Sequence, residues 1–227
     1  MTFQRIEDQD LRTLTDVVNN SAGVSAKAKD SSRDRYSARG FDINNYQMDG
    51  VPIAWSAGYE SGESQTSTVI FERVEIVRGA TGLLTGAGNP SASINLVRKH
   101  ADSNESTGSV MVEQGRFDNS AVTVDFSSGL NDSDSVRGRV VANYEESDSF
   151  VDYLSDKTSV FYAVIDADLT DNTLLRAGAS YQNNDPEATQ WGGLPTIYAD
   201  GTLTDWERSK TTAAKWSSWA SENENVF

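Results

Sequence analysis

Five segments in the second half of the chain alternate apolar and polar positions with period two: 109–117, 120–128, 135–147, 159–169 and 173–184. Val110 and Val112 face one way, Met111 and Glu113 the other. Val122, Val124 and Phe126 alternate with Thr123 and Asp125. Phe161, Ala163, Ile165, Ala167 and Leu169 alternate with Tyr162, Val164, Asp166 and Asp168. Successive side chains of a strand leave opposite faces, so the pattern predicts strands with one apolar and one polar face. Each runs about 9 to 13 residues, the length of a tilted strand that crosses a bilayer. The connections alternate too. Those at 115–119, 130–134 and 169–172 are short, an acidic one spans roughly 146–157, and one of about 25 residues or more starts at 184. Long connections after alternate strands, opposite short turns, are the arrangement of an outer-membrane barrel. A soluble β-sandwich shares the alternation.

The first hundred residues have a different texture. Ile6, Leu11, Leu14, Val17 and Val18 are spaced as on one face of a helix, and Asn19-Asn20-Ser21-Ala22-Gly23 reads as its stop. This predicts a short amphipathic helix over 4–20. Residues 36–53 read as short strands joined by turns, with Asn44-Asn45 and Asp49-Gly50 as turn dipeptides. A polar loop over 54–68 carries Trp55 and Tyr59, and a strand follows from Val69 to Val77. Next comes a glycine-rich stretch with Gly79, Gly82, Gly86 and Gly88. It is no phosphate loop, because no glycine is followed at the required spacing by Gly-Lys. It is no dinucleotide fingerprint either: Gly86-Ala87-Gly88-Asn89-Pro90-Ser91 lacks the third glycine. The glycines then serve the backbone, as positive-φ or close-approach positions.

Composition narrows the chemistry. The chain of 227 residues carries a net charge of −15, which argues against a nucleic-acid partner. The charge is uneven: residues 1–100 hold 11 basic and 12 acidic residues, and residues 101–227 hold 8 and 22. Such asymmetry points to two regions with different surroundings. Without cysteine there is no disulfide, thiol nucleophile or cysteine-based metal site. The single histidine, His100, follows Lys99 and reads as a solvated loop residue. No apolar run is long enough for a transmembrane helix, and MTFQRIEDQDL has no signal-peptide character. Two readings stay open: a cytoplasmic chain, or one whose natural start lies upstream. ASENENVF closes no element at the other end, so the expectation is a fragment at both ends.

Three stretches carry a family resemblance. YSARGFDINNYQMDGVP resembles the "RGF…(Y/F)x-x-DG(V/I)P" signature of the plug domain of TonB-dependent outer-membrane receptors. FERVEIVRGATGLLTGAGNPSASINLVRKHA resembles the next plug signature, and WGGLPTIYADGTLTDWERSKTTAA a loop of the ferric-siderophore subgroup. That subgroup includes receptors for hydroxamate siderophores such as coprogen, and for pyoverdine. The resemblance implies a mixed α/β plug over 1–105, then antiparallel transmembrane strands over 106–227. These would be about five or six strands of an incomplete 22-stranded barrel. It also implies a Gram-negative outer-membrane location and lipid contact, and energy from TonB through a TonB box that lies outside this fragment. The protein would need no cofactor, because iron travels only as the ferric siderophore, wrapped by its own ligands.

The resemblance assigns residues as well. Siderophore contacts fall to Trp55 and Tyr59 on the plug loop, Leu84 on the glycine-rich loop, and Trp191 and Trp219 in the long loop. Flat aromatic faces suit a bulky chelate. Trp191, Trp206 and Trp216 read equally as interface-belt aromatics. Arg39, Glu75 and Arg78 match charged plug positions that pair with each other and with the wall. The loop over 54–68 has no Arg or Lys, where this subgroup often places a cation. Receptors for cobalamin or a glycan, and a passive porin or adhesin, are the competing functions. No enzyme is expected: Glu145-Glu146 and Asp166 with Asp168 read as solvated or lumen-facing carboxylates. An open half-sheet also exposes an edge and an apolar face, so the isolated chain is not expected to be a stable soluble monomer.

Overall fold

The computed structural model describes residues 1–53, 65–79 and 90–227. Trp55, Tyr59, Leu84 and glycines 82, 86 and 88 lie outside the described residues. The N-terminal segment forms two short helices rather than one, α1 (Phe3–Asp8) and α2 (Leu14–Asn19). Two local features break the expected single helix. Asp10 takes a positive φ of 49°. Thr13 then starts a new helix with a capping box: its hydroxyl accepts from the Asp16 N–H, and Asp16 accepts from the Thr13 N–H. The strip between the helices bonds to residues 66–68 instead. Leu14 N donates to Thr66 O at 3.0 Å, and Thr68 N to Arg12 O at 2.9 Å.

Two small sheets follow. β1 (Ser25–Ala28), β2 (Asp34–Ala38) and β3 (Phe41–Asp42) form an antiparallel meander. The second sheet has the order β5-β4-β7-β6, with β4 at Asn45–Met48, β5 at Val51–Ile53, β6 at Phe71–Arg78 and β7 at Ala92–Arg98. β4 and β7 run parallel and the other pairs antiparallel. The Asp49-Gly50 turn joins β4 to β5 with φ of 51° and 80°, the double positive φ of a tight hairpin. The Asp49 carboxylate then accepts from the Arg98 N–H at 2.8 Å and from Arg98 Nε at 2.7 Å. β7 is covered on both sides, so Ile94 and Leu96 are buried along with Val97.

Six strands build the wall: β8 (Thr107–Gln114), β9 (Ser120–Gly129), β10 (Val136–Asp148), β11 (Ser155–Thr170), β12 (Thr173–Asn184) and β13 (Ser221–Val226). They pair antiparallel in chain order. Val110, Val124, Ala142, Phe161 and Tyr181 stand side by side across five strands. This row belongs to an outer face that leaves Val110, Val112, Phe126, Val140 and Ile165 exposed. The opposite face carries the polar set and meets the two small sheets. Its Val141, Val160, Tyr162 and Val164 join one buried core with Ile6, Leu14, Val17, Tyr36, Tyr46 and Phe71. At one end of the wall the connections are 130–135 and 171–172; at the other they are 115–119, 149–154 and 185–220. The acidic connection is shorter than expected because β10 and β11 run on to Asp148 and from Ser155. β13 was not foreseen: its SENENV has no apolar alternation, and it exists by pairing with β12.

Candidate ligand-binding site

The wall holds the N-terminal region at several points: Gln182 on β12 accepts from Ser67 N–H at 3.0 Å and donates to Gln65 O at 2.8 Å, Arg98 lies 3.4 Å from the Phe227 ring centroid, and two further junctions are ion-paired. At the first, Lys99 Nζ donates to Asp125 Oδ2 at 2.8 Å and lies 4.2 Å from the Phe3 ring centroid. Arg139 donates through Nε and Nη2 to the same carboxylate, each at 2.8 Å. Three consecutive backbone carbonyls are also held: Lys99 O by Tyr162 Oη, His100 O by Arg139 Nη1 and Ala101 O by Arg137 Nε. Burial pulls the Lys99 ammonium below its ordinary pKa, and Asp125 offsets this only in part. His100 is half-buried here, and its Nδ1 finds no partner among the described residues. It is not the solvated loop residue that its basic neighbours imply, because the wall covers this segment.

The second junction is one side chain. Arg12 reaches Glu145 Oε1 at 2.6 Å, Glu113 Oε2 at 3.4 Å and Asn119 Oδ1 at 3.0 Å, all on the wall, while Asp10 holds its Nε at 2.8 Å. Burial lowers the guanidinium pKa, and the hydrogen bonds to Asp10 and Glu145 outweigh that and raise it. Between and beside the junctions lie cavities of about 100 Å³ and 210 Å³, both bordered by Arg12 and Glu145.

At the long-loop end of the wall, the turn between β1 and β2 meets the 185–220 connection. Ser31 N donates to Gln190 O at 3.2 Å, and Gln190 N donates back to Ser31 Oγ at 2.9 Å. This brings the Arg33 guanidinium to 4.4 Å over the Trp191 ring, while Trp191 and Trp219 have centroids 4.5 Å apart. Cation over ring and ring beside ring are both favourable contacts. The cluster sets the Arg33 cation over one face of an exposed aromatic pair. The next residue, Asp34, accepts from Thr15 Oγ1 at 2.6 Å, and burial raises its carboxyl above the usual range.

Of the five residues assigned to ligand contact, the structure brings Trp191 and Trp219 together, and the other three lie outside the described residues. Trp206 turns back on its own loop, donating Nε1 to Pro195 O at 2.8 Å. Trp216 is exposed. Glu75 pairs with Arg73 at 2.7 Å and accepts from Asn95 Nδ2 at 2.8 Å. Arg78 donates to Ala22 O at 2.7 Å, and the Arg39 guanidinium lies against Gly79, whose φ is 104°. The described contacts of these three stay within the N-terminal region; among the described residues Arg12 and Lys99 make its ion pairs with the wall. Arg33 was missed because its neighbour Asp30 suggests only a surface turn. The one available signal was the missing cation in the 54–68 loop, which left that charge to come from elsewhere. The acidic pairs are occupied: Arg12 holds Glu145, Lys157 holds Glu146, Arg176 holds Asp166 and Arg137 holds Asp168. No free pair of carboxylates remains among them for acid–base chemistry.

Residues 1–93 match the TonB-dependent receptor plug domain family. The chain is 42% identical over its whole length to the ferripyoverdine receptor of Pseudomonas aeruginosa, covering 28% of that protein. It is 39% identical over 96% of its length to the ferric-pyoverdine BN7/BN8 receptor of Pseudomonas putida, covering 26% of it. The crystal structure of the Pseudomonas aeruginosa receptor bound to ferripyoverdine matches the entire chain with a TM-score of 0.94, the chain spanning 30% of it. The alcaligin outer membrane receptor of Bordetella pertussis matches 82% of the chain with a TM-score of 0.71 at 38% identity, over 31% of its own length. Residues 1–93 are thus a TonB-dependent receptor plug domain. The chain as a whole is similar to the ferric-siderophore receptors that carry one, and spans less than a third of their length.

Proposed function

We propose that this chain is the plug (1–105) and first barrel strands (106–227) of a TonB-dependent receptor in a Gram-negative outer membrane. The whole receptor binds a ferric siderophore and imports it, and its barrel closes with 22 strands. One observation carries this reading: the Trp191–Trp219–Arg33 cluster stands where the plug meets the long loop. Aromatic faces shed water against a bulky chelate, and an arginine pairs with its anionic groups. Trp55, Tyr59 and Leu84, outside the described residues, are further contacts that the family resemblance assigns to the ligand. The iron is cargo, already wrapped by the siderophore, so no protein group ligates it. The likeness to ferric-pyoverdine receptors favours a pyoverdine over the hydroxamate type that the resemblance implies.

The outer apolar face contacts lipid, and the loop end with 115–119, 149–154 and 185–220 faces outside. Import draws energy from TonB acting on the plug, so no bond of the substrate is made or broken and no catalytic group is needed. The test is uptake of radiolabelled ferric pyoverdine by cells whose only such receptor is the full-length parent. Accumulation that stops when TonB is deleted supports the reading. Accumulation that persists without TonB means a passive pore, and uptake of cobalamin alone moves the substrate.

A further inference from the structure

Asp30 is buried beneath the turn that carries Arg33, and both of its oxygens are used. Oδ1 accepts the Ser32 N–H at 2.9 Å and the Arg33 N–H at 2.8 Å. Oδ2 accepts Arg33 Nε at 2.7 Å and lies 2.5 Å from Nη2. One oxygen therefore shapes the turn and the other grips the guanidinium in a two-point clamp. A long arginine side chain samples many rotamers, and a clamp of this kind selects one of them. The selected one lays the guanidinium on the Trp191 face. The space left among Asp30, Arg33, Trp191 and Trp219 is about 10 Å³, room for a single water at most. Arg33 caps one face of Trp191, and the rest of the aromatic pair stays exposed.

We propose that Asp30 is a positioning residue of the ligand site. It touches no ligand, but it fixes Arg33 as the cap of the aromatic cleft and presents that cation, preset, to an incoming anionic chelate. This rests on the reading of the cluster as a siderophore site. Asp30→Asn separates the two tasks of the carboxylate. The amide oxygen still accepts the turn N–H groups, while the amide nitrogen, a donor, cannot grip the guanidinium.

The experiment uses the full-length receptor in detergent, with ferric pyoverdine as the probe. Asp30→Asn and Arg33→Gln are each expected to weaken binding about tenfold, the scale of one charge-assisted contact. The double variant is expected to bind no worse than Arg33→Gln alone, because Asp30 acts through Arg33. A ligand-free readout runs alongside. Removing the cation from the Trp191 face shifts tryptophan emission by the same amount in both single variants, a readout independent of the stability lost when the buried Asp30–Arg33 pair is broken. Wild-type affinity and emission in Asp30→Asn would overturn the proposal. Losses that multiply in the double variant would also overturn it, by making Asp30 a turn residue independent of Arg33. If the unaltered receptor does not bind ferric pyoverdine, the ligand reading fails, and the emission comparison still decides whether Asp30 sets Arg33.

Discussion

At one ion-paired junction the wall grips residues 99–101 by their backbone; at the other it meets the Arg12 side chain. The Lys99 junction is dry: the Lys99 and Asp125 side chains are 3% and 12% exposed, and three successive carbonyls are bound by wall donors. The Arg12 junction is wetter, with Arg12 and Glu145 side chains 25% and 24% exposed. The difference teaches which contact can open. Parting Lys99 from Asp125 strands buried charge, which is costly. Parting Arg12 from Glu145 lets water replace the lost partner, and Asp10 still holds the guanidinium. Of the two ion-paired junctions, the one at Lys99 is an anchor and the one at Arg12 a latch.

The largest expected effect is on the chain taken without the proposed barrel. The 227-residue chain alone exposes Val110, Val112, Phe126 and Ile165 and leaves the edges of β8 and β13 unpaired. Heated in buffer without detergent, it should show no sharp cooperative transition. A sharp one would overturn the lipid-facing assignment.

The next effects separate the two junctions in the full-length receptor. Asp125→Ala leaves Lys99 and Arg139 buried without their carboxylate, and should cost about 3–5 kcal/mol of plug stability by denaturant unfolding. Arg12→Ala should cost about 1 kcal/mol, the scale of a partly exposed network. Hydrogen exchange adds the spatial readout: residues 98–101 should stay protected in Arg12→Ala and lose protection in Asp125→Ala. Equal costs for the two changes would dissolve the distinction between anchor and latch.

The smallest effect lies on β6, away from both junctions. Hydrogen bonds from Arg73 and Asn95 hold the Glu75 carboxyl below its ordinary 4.5. The folded state then binds this proton more weakly than the unfolded one. Its stabilisation is complete above pH 4.5 and is lost as the pH falls through the folded value. Glu75→Gln should cost less than about 1 kcal/mol at pH 7 and nothing once the acid is protonated. A cost that persists at low pH would mean packing rather than charge.

The sequence made the wall legible and the junctions illegible. Alternation marks β8 to β12, because one face of the wall is apolar and exposed while the other packs on the N-terminal region. β13 escaped because Glu222 and Glu224 stand where apolar residues would mark its outer face. The helical spacing of Ile6 to Val18 was real, but periodicity is blind to a break when both halves bury the same face. Thr13 and Asp16, three apart, were the readable sign of the second start. Contacts such as Arg12 with Glu145 or Ser31 with Gln190 join residues more than a hundred positions apart. No local pattern records them. Trp191 and Trp219 stood out as aromatics in a long loop, whereas Arg33 had no mark of its own.

The most direct test of the central claim is a titration of the full-length receptor in detergent, following tryptophan fluorescence. Ferric pyoverdine, ferric coprogen, a ferric catecholate and cobalamin are added in turn. The account predicts saturable quenching by ferric pyoverdine, with at least tenfold weaker binding in Trp191→Ala. No saturable response to any ferric siderophore, or quenching unchanged in Trp191→Ala and Trp219→Ala alike, would contradict it.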